Sequence, residues 1–380
     1  MRFVERFKNQ LTWIVVTSLI VLAVFIGKNR SEQSKQEIIQ QYYLESKYQI
    51  RQVNQNKWII YDISDHNENL LYLGKAYGYN GEVEVLFEVD KDSLIQKTFP
   101  ASHQETPSYF DKIIEKHFFE QFQGKKVAEF LKNKPVNAVS GATITSNAII
   151  QATKNGYAQG ENISVTETKY PLFGMLEIIV SYLFVAGIVM SKIKSQKIKK
   201  TLRWLTIFIS LIFLGFIYNQ PISYSRLSGL LLGNFPDWHK EFYFYILFTG
   251  SIVIIFINRK NVYCHSVCPF GAAQEILAKT GKAKVFRPAY YKKLKFVQRF
   301  IALTVVLAAL SLNNPVIANY EVFSAFFQLT ANAILFAVLF IVIILSLFIK
   351  RPWCHFMCPI DSVFDYVKLT RKSITGLWKK

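Results

Sequence analysis

Ser140-Gly141-Ala142-Thr143-Ile144-Thr145-Ser146 crowds small and hydroxyl residues immediately ahead of Asn147 to Ala158, a segment that reads as a helix. The junction suits a phosphate. Gly141 lets the backbone approach closely, and a helix N-terminus offers unpaired N–H groups together with the positive end of its dipole. On its own such a pattern is more often a plain N-cap, so the surrounding chain has to decide.

Outward from this stretch, apolar residues gather in six long runs: Leu11–Gly27, Leu172–Met190, Leu202–Tyr218, Phe242–Asn258, Phe296–Leu312 and Ala333–Ile349. Each approaches the roughly 17–25 residues that a helix needs to cross hydrocarbon. Six spans are therefore expected, the first a retained anchor, because Lys28-Asn29-Arg30 follows it without a small-x-small cleavage site. With the N-terminus inside, the segments 1–10, 191–203, 258–299 and 350–380 carry 26 Lys and Arg against 4 acidic residues. The segment 28–170 holds 17 basic and 18 acidic residues and is easily exported. That asymmetry predicts a multi-pass protein of a prokaryotic plasma membrane with both termini cytoplasmic. It also accounts for the net charge of +19 through anionic headgroups, so no nucleic-acid partner is expected.

Within the exported part, Gln and Lys are dense from Ser31 to Gln55, suggesting a stalk and lead-in over 28–70. Gly78-Tyr79-Asn80-Gly81 is a turn signal. Glu82 to Asp90 then alternates, predicting a strand with Val83, Val85, Phe87 and Val89 inward and a wet opposite face. Leu94 to Phe99 can return as its hairpin partner, and Ser102 to Pro107 is a polar loop whose His103 is either a surface histidine or a cofactor contact. Helices over 109–122 and 125–131 lead to Ser140. None of the four cysteines lies here, so a redox group in this domain must be attached by other means.

Gly78-Tyr79-Asn80-Gly81, the strand ending at Asp90, His103-Gln104-Glu105-Thr106-Pro107 and Ser140-Gly141-Ala142-Thr143-Ile144-Thr145, in that order, resemble the FMN-binding domain of RnfG- and NqrC-type components of membrane oxidoreductases. The resemblance implies FMN joined covalently, by a phosphoester, to Thr143, a bond made by a separate flavin transferase. It further implies that Ser140, Gly141, Ala142 and Thr145, with Ser146, surround the phosphate, and that His103, Glu105 and Thr106 lie near the isoalloxazine ring. The family pattern has Asp where this chain has Asn137, and Gly-Leu-Gly where it has Ser108-Tyr109-Phe110.

The membrane part repeats itself. Tyr263-Cys264-His265-Ser266-Val267-Cys268-Pro269 follows the fourth run and Trp353-Cys354-His355-Phe356-Met357-Cys358-Pro359 the sixth; upstream, Asn219-Gln220-Pro221 closes the third run and Asn313-Asn314-Pro315 the fifth. Such repetition argues for two like halves packed together. On a helix, residues i and i+4 face one way, so Cys264, Cys268, Cys354 and Cys358 can form a four-thiolate set. That set suits a shared 4Fe–4S cluster or zinc, and redox-active or unligated thiols are the remaining reading. His265 and His355 are expected as hydrogen-bond donors around the sulfurs, with Arg259, Lys260, Lys350 and Arg351 nearby. Glu177 is either a proton acceptor near the end of its span or a residue snorkelling to the surface.

This half resembles the membrane part of NosR and NirI proteins and, with the flavin domain ahead of it, the shorter PceC-like proteins. The expected fold is an α+β exported FMN-binding domain inserted between the first and second spans of a six-helix transmembrane protein with an internally repeated C-terminal membrane module. The expected divisions are 1–10 cytoplasmic, 11–27 anchor, 28–70 lead-in, 71–168 FMN-binding domain and 171–380 five-span domain. The function this implies is transmembrane electron transfer, from quinol or a cytoplasmic donor by way of FMN to an extracytoplasmic metalloenzyme reductase. A membrane redox sensor or maturation factor is the alternative, and a transporter a third reading. One difficulty stands out: thiols inside and flavin outside are separated by about 30 Å of hydrocarbon, which calls for an intermediate carrier such as a bound quinone or a second flavin.

Overall fold

The computed structural model describes residues 2–31, 39, 42–43, 47–63, 66–132, 136–164, 173–258, 261–286 and 288–377. Much of the Gln- and Lys-rich lead-in, and the basic pair Arg259–Lys260, lie outside them.

A 30-residue helix, α1 (Arg2–Ser31), precedes a five-stranded antiparallel meander: β1 (Tyr48–Asn54), β2 (Lys57–Asp62), β3 (Glu68–Tyr77), β4 (Glu82–Val89) and β5 (Ile95–His103), paired in chain order. The sheet thus reaches back to Tyr48, well into the segment whose composition suggested a lead-in. β4 has the expected inward row of Val83, Val85, Phe87 and Val89, all buried. Its other face, expected to be wet, is covered instead. Leu86 packs there with Trp58, Ile60, Leu71 and Leu73 beneath Ile39 and Tyr43. Glu88 accepts hydrogen bonds from Tyr43 (3.0 Å) and Asn69 (2.6 Å), while Glu84 accepts from Ser102 (2.7 Å) and from Lys75. Burying these carboxylates is tolerable because each is hydrogen-bonded.

After β5 come α2 (Pro107–Glu115), a 3₁₀ turn over Phe118–Phe122 and the short α3 (Glu129–Lys132), where two longer helices were expected. His117 adopts a left-handed conformation, φ 50°, between the first two and breaks the run. The helix that matters for the site is α4 (Thr143–Gly160), which lies on the inward face of β3 and β4. Its approach is set by paired glycines. A Cβ on Gly74 would lie 1.8 Å from the Ala152 carbonyl oxygen, and one on Gly156 would lie 2.7 Å from Gly74 Cα. Gly156→Val should therefore lift α4 from the sheet at a cost of about 1–3 kcal/mol, read as a lowered thermal midpoint of the full-length protein in detergent.

The remaining chain is helical: α5 (Met175–Lys192), α6 (Gln196–Ile209) continued by a π-helical stretch (Ser210–Ile217), α7 (Tyr224–Leu232), α8 (Phe242–Asn258), α9 (Pro269–Thr280), α10 (Tyr291–Ser311), α11 (Phe323–Phe327), α12 (Ala333–Phe348), α13 (Pro352–Phe356) and α14 (Pro359–Leu377). All six apolar runs fall on helices. Four of these are long and apolar enough to cross a membrane, over Gln10–Asn29, Met175–Lys192, Gln196–Ile217 and Tyr291–Ser311; α8 and α12 are shorter. Their outward faces are greasy, with Phe25, Ile257, Ile334 and Phe348 more than 60 % exposed, as lipid-facing surfaces require. The internal repeat is visible in the backbone. Asn219 and Asn313 both have φ 48°, each ending its apolar helix in a left-handed cap.

Glu177 neither snorkels nor stands free. It closes a capping box on Gly174 N–H (2.9 Å) and accepts Tyr243 N–H (3.2 Å), tying α5 to the start of α8.

Candidate functional site

Thr143 is the first residue of α4 and is exposed, as are Ser140 and Gly141. Ala142 supplies no side-chain cap, so the first amides of the helix remain open to an external acceptor. Gly141, at φ +79°, occupies the left-handed region that its missing Cβ permits. Not every expected phosphate contact is free. Thr145 is buried and donates to Glu105 (2.7 Å); Ser146 is buried, donating to the Ala142 carbonyl and accepting Val139 N–H, both at 3.0 Å. These two hydroxyls build the turn and do not face the exposed residues.

One cation at this site escaped the sequence reading. A Cβ on Gly141 would lie 3.2 Å from Lys112 Nζ, and the same ammonium donates to Thr330 Oγ1 at 3.0 Å. Lys112 on α2 thus stands beside the stretch where a phosphate on Thr143 would begin. Gly141 and Thr330 are both far from it in the chain, the second by 218 positions, so no local pattern marks it.

The loop after β5 is likewise more structural than its sequence suggested. His103 is half-buried and stacks on Phe110, with ring centroids 3.6 Å apart, so one face of the imidazole is already taken. Burial pulls its pKa down. Glu105, 1 % exposed, accepts from Asn80 N–H (3.2 Å) and Thr145 Oγ1, which fastens the β3–β4 turn to α4. Burial raises its pKa against the opposing effect of those bonds. Thr106 accepts from Asn80 Nδ2 (2.5 Å) and from Asn319 Nδ2 (3.3 Å), the latter across to the helical part.

That last contact belongs to a continuous docking surface. Ser225 donates to Asn80 Oδ1 at 2.9 Å, Gln104 Nε2 donates to the Asn313 carbonyl at 3.1 Å, and Asn234 Nδ2 donates to Gln104 Oε1 at 2.5 Å. At its centre lies Arg226, 1 % exposed. It donates to Tyr243 Oη (2.9 Å), Gln220 Oε1 (3.3 Å) and Glu241, with the Tyr79 ring of the sheet domain 5.1 Å away and the Phe244 ring 4.7 Å away.

The four cysteines gather between the two copies of their motif. Neither copy is one continuous α-helix presenting i and i+4. In both, the second cysteine closes a five-residue loop, with Cys268 N–H donating to the Tyr263 carbonyl (2.8 Å) and Cys358 N–H to the Trp353 carbonyl (2.9 Å). A helix then begins at Pro269 or Pro359, where a missing N–H costs nothing. Each sulfur lies within electrostatic reach of others in the set. Gln274 Nε2 donates to Cys354 Sγ at 3.2 Å, and the amides of Phe270 and Gly271 donate to Cys268. Burial pushes all four thiols up, Cys354 to about 12; ligation to iron would reverse that preference.

Among the described residues, no three His, Cys, Asp or Glu side chains are arranged to hold a metal ion. A mononuclear zinc site, with sulfurs only about 3.8 Å apart, is therefore not the approach seen here. Four soft donors with N–H groups aimed at two of them do fit the larger 4Fe–4S cluster.

His265 is not a donor to the sulfurs. It sits against the Arg203 guanidinium, and burial together with the charges of Arg203 and Arg351 lowers its pKa to about 4. The expected basic neighbour Arg351 is in place and clasps the motifs together, donating to the Cys264 carbonyl (2.6 Å) and to Glu275 (2.5 Å). Burial pushes Glu275 up, but its bonds to Arg203 and Arg351 outweigh this and hold it at about 2.

An FMN-binding domain model matches residues 78–158, and a 4Fe–4S binding domain model matches 242–288 and 331–375. A protein named for electron transport, YccM of Escherichia coli, is 24% identical over 156 residues, covering 37% of this chain and 43% of the relative. The RnfG-type component of a proton-translocating ferredoxin:NAD(+) oxidoreductase complex of Clostridium ljungdahlii is 27% identical over 165 residues, covering 40% of this chain and 88% of that relative. The corresponding component of an ion-translocating oxidoreductase complex of Vibrio parahaemolyticus is 38% identical over 88 residues, covering 20% and 42%. The chain thus spans less than half the length of the first and third of these relatives. With a flavin domain, a 4Fe–4S domain and apolar helices of membrane-crossing length in one polypeptide, this is an FMN-binding electron-transport flavoprotein of a membrane.

Proposed function

We propose that the chain carries electrons between a 4Fe–4S centre on Cys264, Cys268, Cys354 and Cys358 and an FMN esterified to Thr143, and hands them to an extracytoplasmic reductase. The charge asymmetry supports an exported flavin domain with the cysteine motifs toward the cytoplasm. Quinol or a cytoplasmic donor supplies the electrons, and a flavin transferase attaches the FMN.

The observation that carries this reading is how near the two ends come. On α10, Gln298 Nε2 donates to the Cys358 carbonyl, and four residues later the Ala302 carbonyl accepts Tyr224 Oη (2.7 Å). One helical turn, about 6 Å of axial rise, separates these contacts. Tyr224 adjoins Ser225, which holds Asn80 of the sheet domain. From the other side, Tyr263 beside Cys264 accepts Ile222 N–H on its hydroxyl (2.8 Å), and Phe270 beside Pro269 packs on Phe323 with centroids 5.5 Å apart. The loops at 219–225 and 315–327 thus dip into the bundle and replace much of the 30 Å barrier with protein. No quinone is needed between them, and the interfacial cavity of about 20 Å³ has room for water only.

FMN, when bound, exchanges electrons singly or in pairs, and the protein's part is to hold and orient it. The open amides at the start of α4 and the Lys112 ammonium would receive its phosphate. Glu105 fixes α4 to the β3–β4 turn, and the docking contacts keep that assembly seated. Arg351 and Gln274 fix the sulfurs.

Anaerobic photoreduction of the purified full-length protein by a one-electron donor, with iron–sulfur and flavin absorbance followed together, tests the proposal. The centre should be reduced first and the flavin should bleach as the centre reoxidises. In Cys358→Ser, which cannot complete the centre, that phase should vanish. Unchanged flavin kinetics in the variant would overturn the reading.

A further inference from the structure

Glu321, on the loop between α10 and α11, is 2 % exposed and accepts one hydrogen bond, from Tyr224 N–H at 2.8 Å. The other buried carboxylates are better provided for. Glu105 has Thr145 and Asn80, Glu177 has two backbone amides, and Glu84 and Glu88 each have two side-chain donors. Among the described residues no Lys, Arg or His pairs with Glu321, and Arg226 is committed to Glu241. An unpaired carboxylate so placed favours its neutral form, and burial indeed raises its pKa well above the ordinary range.

Glu321 also lines the interfacial cavity, together with Asn80 and Thr106 of the sheet domain and Asn219, Ser223 and Ser225 of the helical part. About 20 Å³ holds one water molecule, and Asn219 Oδ1, buried without a partner, gives it a second polar wall. The ionisable groups that face the carboxylate electrostatically are Tyr79, Tyr224, Tyr320 and Cys268. None can offer it a positive charge.

We propose that Glu321 is a redox-linked proton site, taking up one proton as one electron enters the four-cysteine centre and releasing it as the electron leaves. The electron adds negative charge on the side of Cys268, and a like charge nearby shifts a carboxylate toward its protonated form. Carboxylate plus proton gives carboxylic acid while the centre gains one electron, so the local charge is conserved and no bond is oxidised. The electron comes from the centre's one-electron donor and the proton from the cavity water. The inference rests on the reading that the cysteines hold a 4Fe–4S cluster.

The test is a redox titration of the full-length holoprotein, monitored by electron paramagnetic resonance at several pH values, with infrared difference spectra of the same samples. In the wild type the midpoint potential should fall by about 59 mV for each tenfold loss of protons, and a carboxylic C=O band should grow on reduction. Glu321→Gln should flatten the slope and remove the band, whereas Glu321→Asp should keep both. A slope retained in Glu321→Gln, or a flat wild type, overturns the proposal while leaving the centre intact. Absence of any cluster signal would sink the centre assignment and this inference with it. Should Glu321→Gln fail to fold, a wild type lacking both slope and band would still decide against it.

Discussion

Thr143→Ala is expected to abolish flavin fluorescence from the protein band in a denaturing gel while leaving its iron content unchanged. Only a covalent link survives denaturation, so the measurement isolates attachment from binding. The prediction is sharp because Thr143 does so little else. Its hydroxyl makes a single long contact, 3.5 Å to the Val139 carbonyl, and the residue is exposed at the start of α4. Exposed substitutions of this kind usually change stability by no more than about 0.5 kcal/mol, and alanine is a good helix former. Loss of the yellow band therefore cannot be ascribed to unfolding. Thr145 and Ser146, the other hydroxyls of the stretch, are buried and engaged. Ser140, which is exposed, is the proper control, and Ser140→Ala should keep the band. Equal fluorescence in wild type and Thr143→Ala would show that the attachment point lies elsewhere.

The parts of this architecture legible in the sequence are those whose signal is local. Six apolar runs became helices because each carries its own pattern, and the repeat of Cys-x-x-x-Cys-Pro and Asn-x-Pro survived into matching five-residue loops and matching left-handed caps. What could not be read was contributed by distant segments. β4 looked half-wet because its alternation is clean, yet Tyr43, 45 positions earlier, covers Glu88. Lys112 meets Thr330, and Glu321 meets Tyr224, 97 positions away. The apparent gap between thiols and flavin came from treating the loops after Asn219 and Asn313 as surface connections. They return into the bundle, and only the contacts to Tyr263 and Ala302 reveal it. His265 was misjudged for the same reason, since Arg203 lies on another helix.

Arg226→Met is expected to loosen the sheet domain from the helical part without unfolding either. The guanidinium is fully enclosed, and its charge is shared among Glu241, Tyr243, Gln220 and the faces of Tyr79 and Phe244. Removing one member of such a buried pair leaves Glu241, 15% exposed, without its cation, at a cost of about 3–5 kcal/mol. The flat guanidinium on Tyr79 is a direct link to the sheet domain, so part of that loss falls on docking. Hydrogen exchange followed by mass spectrometry on the full-length protein should show faster exchange in the turn 78–81 and in 104–106, with β2 and β3 unchanged. Arg226→Lys retains a charge for Glu241 but has neither the planar face for Tyr79 nor donors enough for Tyr243 and Gln220 together, so it should fall between wild type and Met. Electron exchange between centre and flavin depends on the same seating, and its fast phase should slow in the same order. Uniform loss of protection across the sheet would mean that Arg226 supports folding in general. Unchanged exchange at 78–81 would mean that the interface is held by Asn80, Gln104 and Thr106 alone.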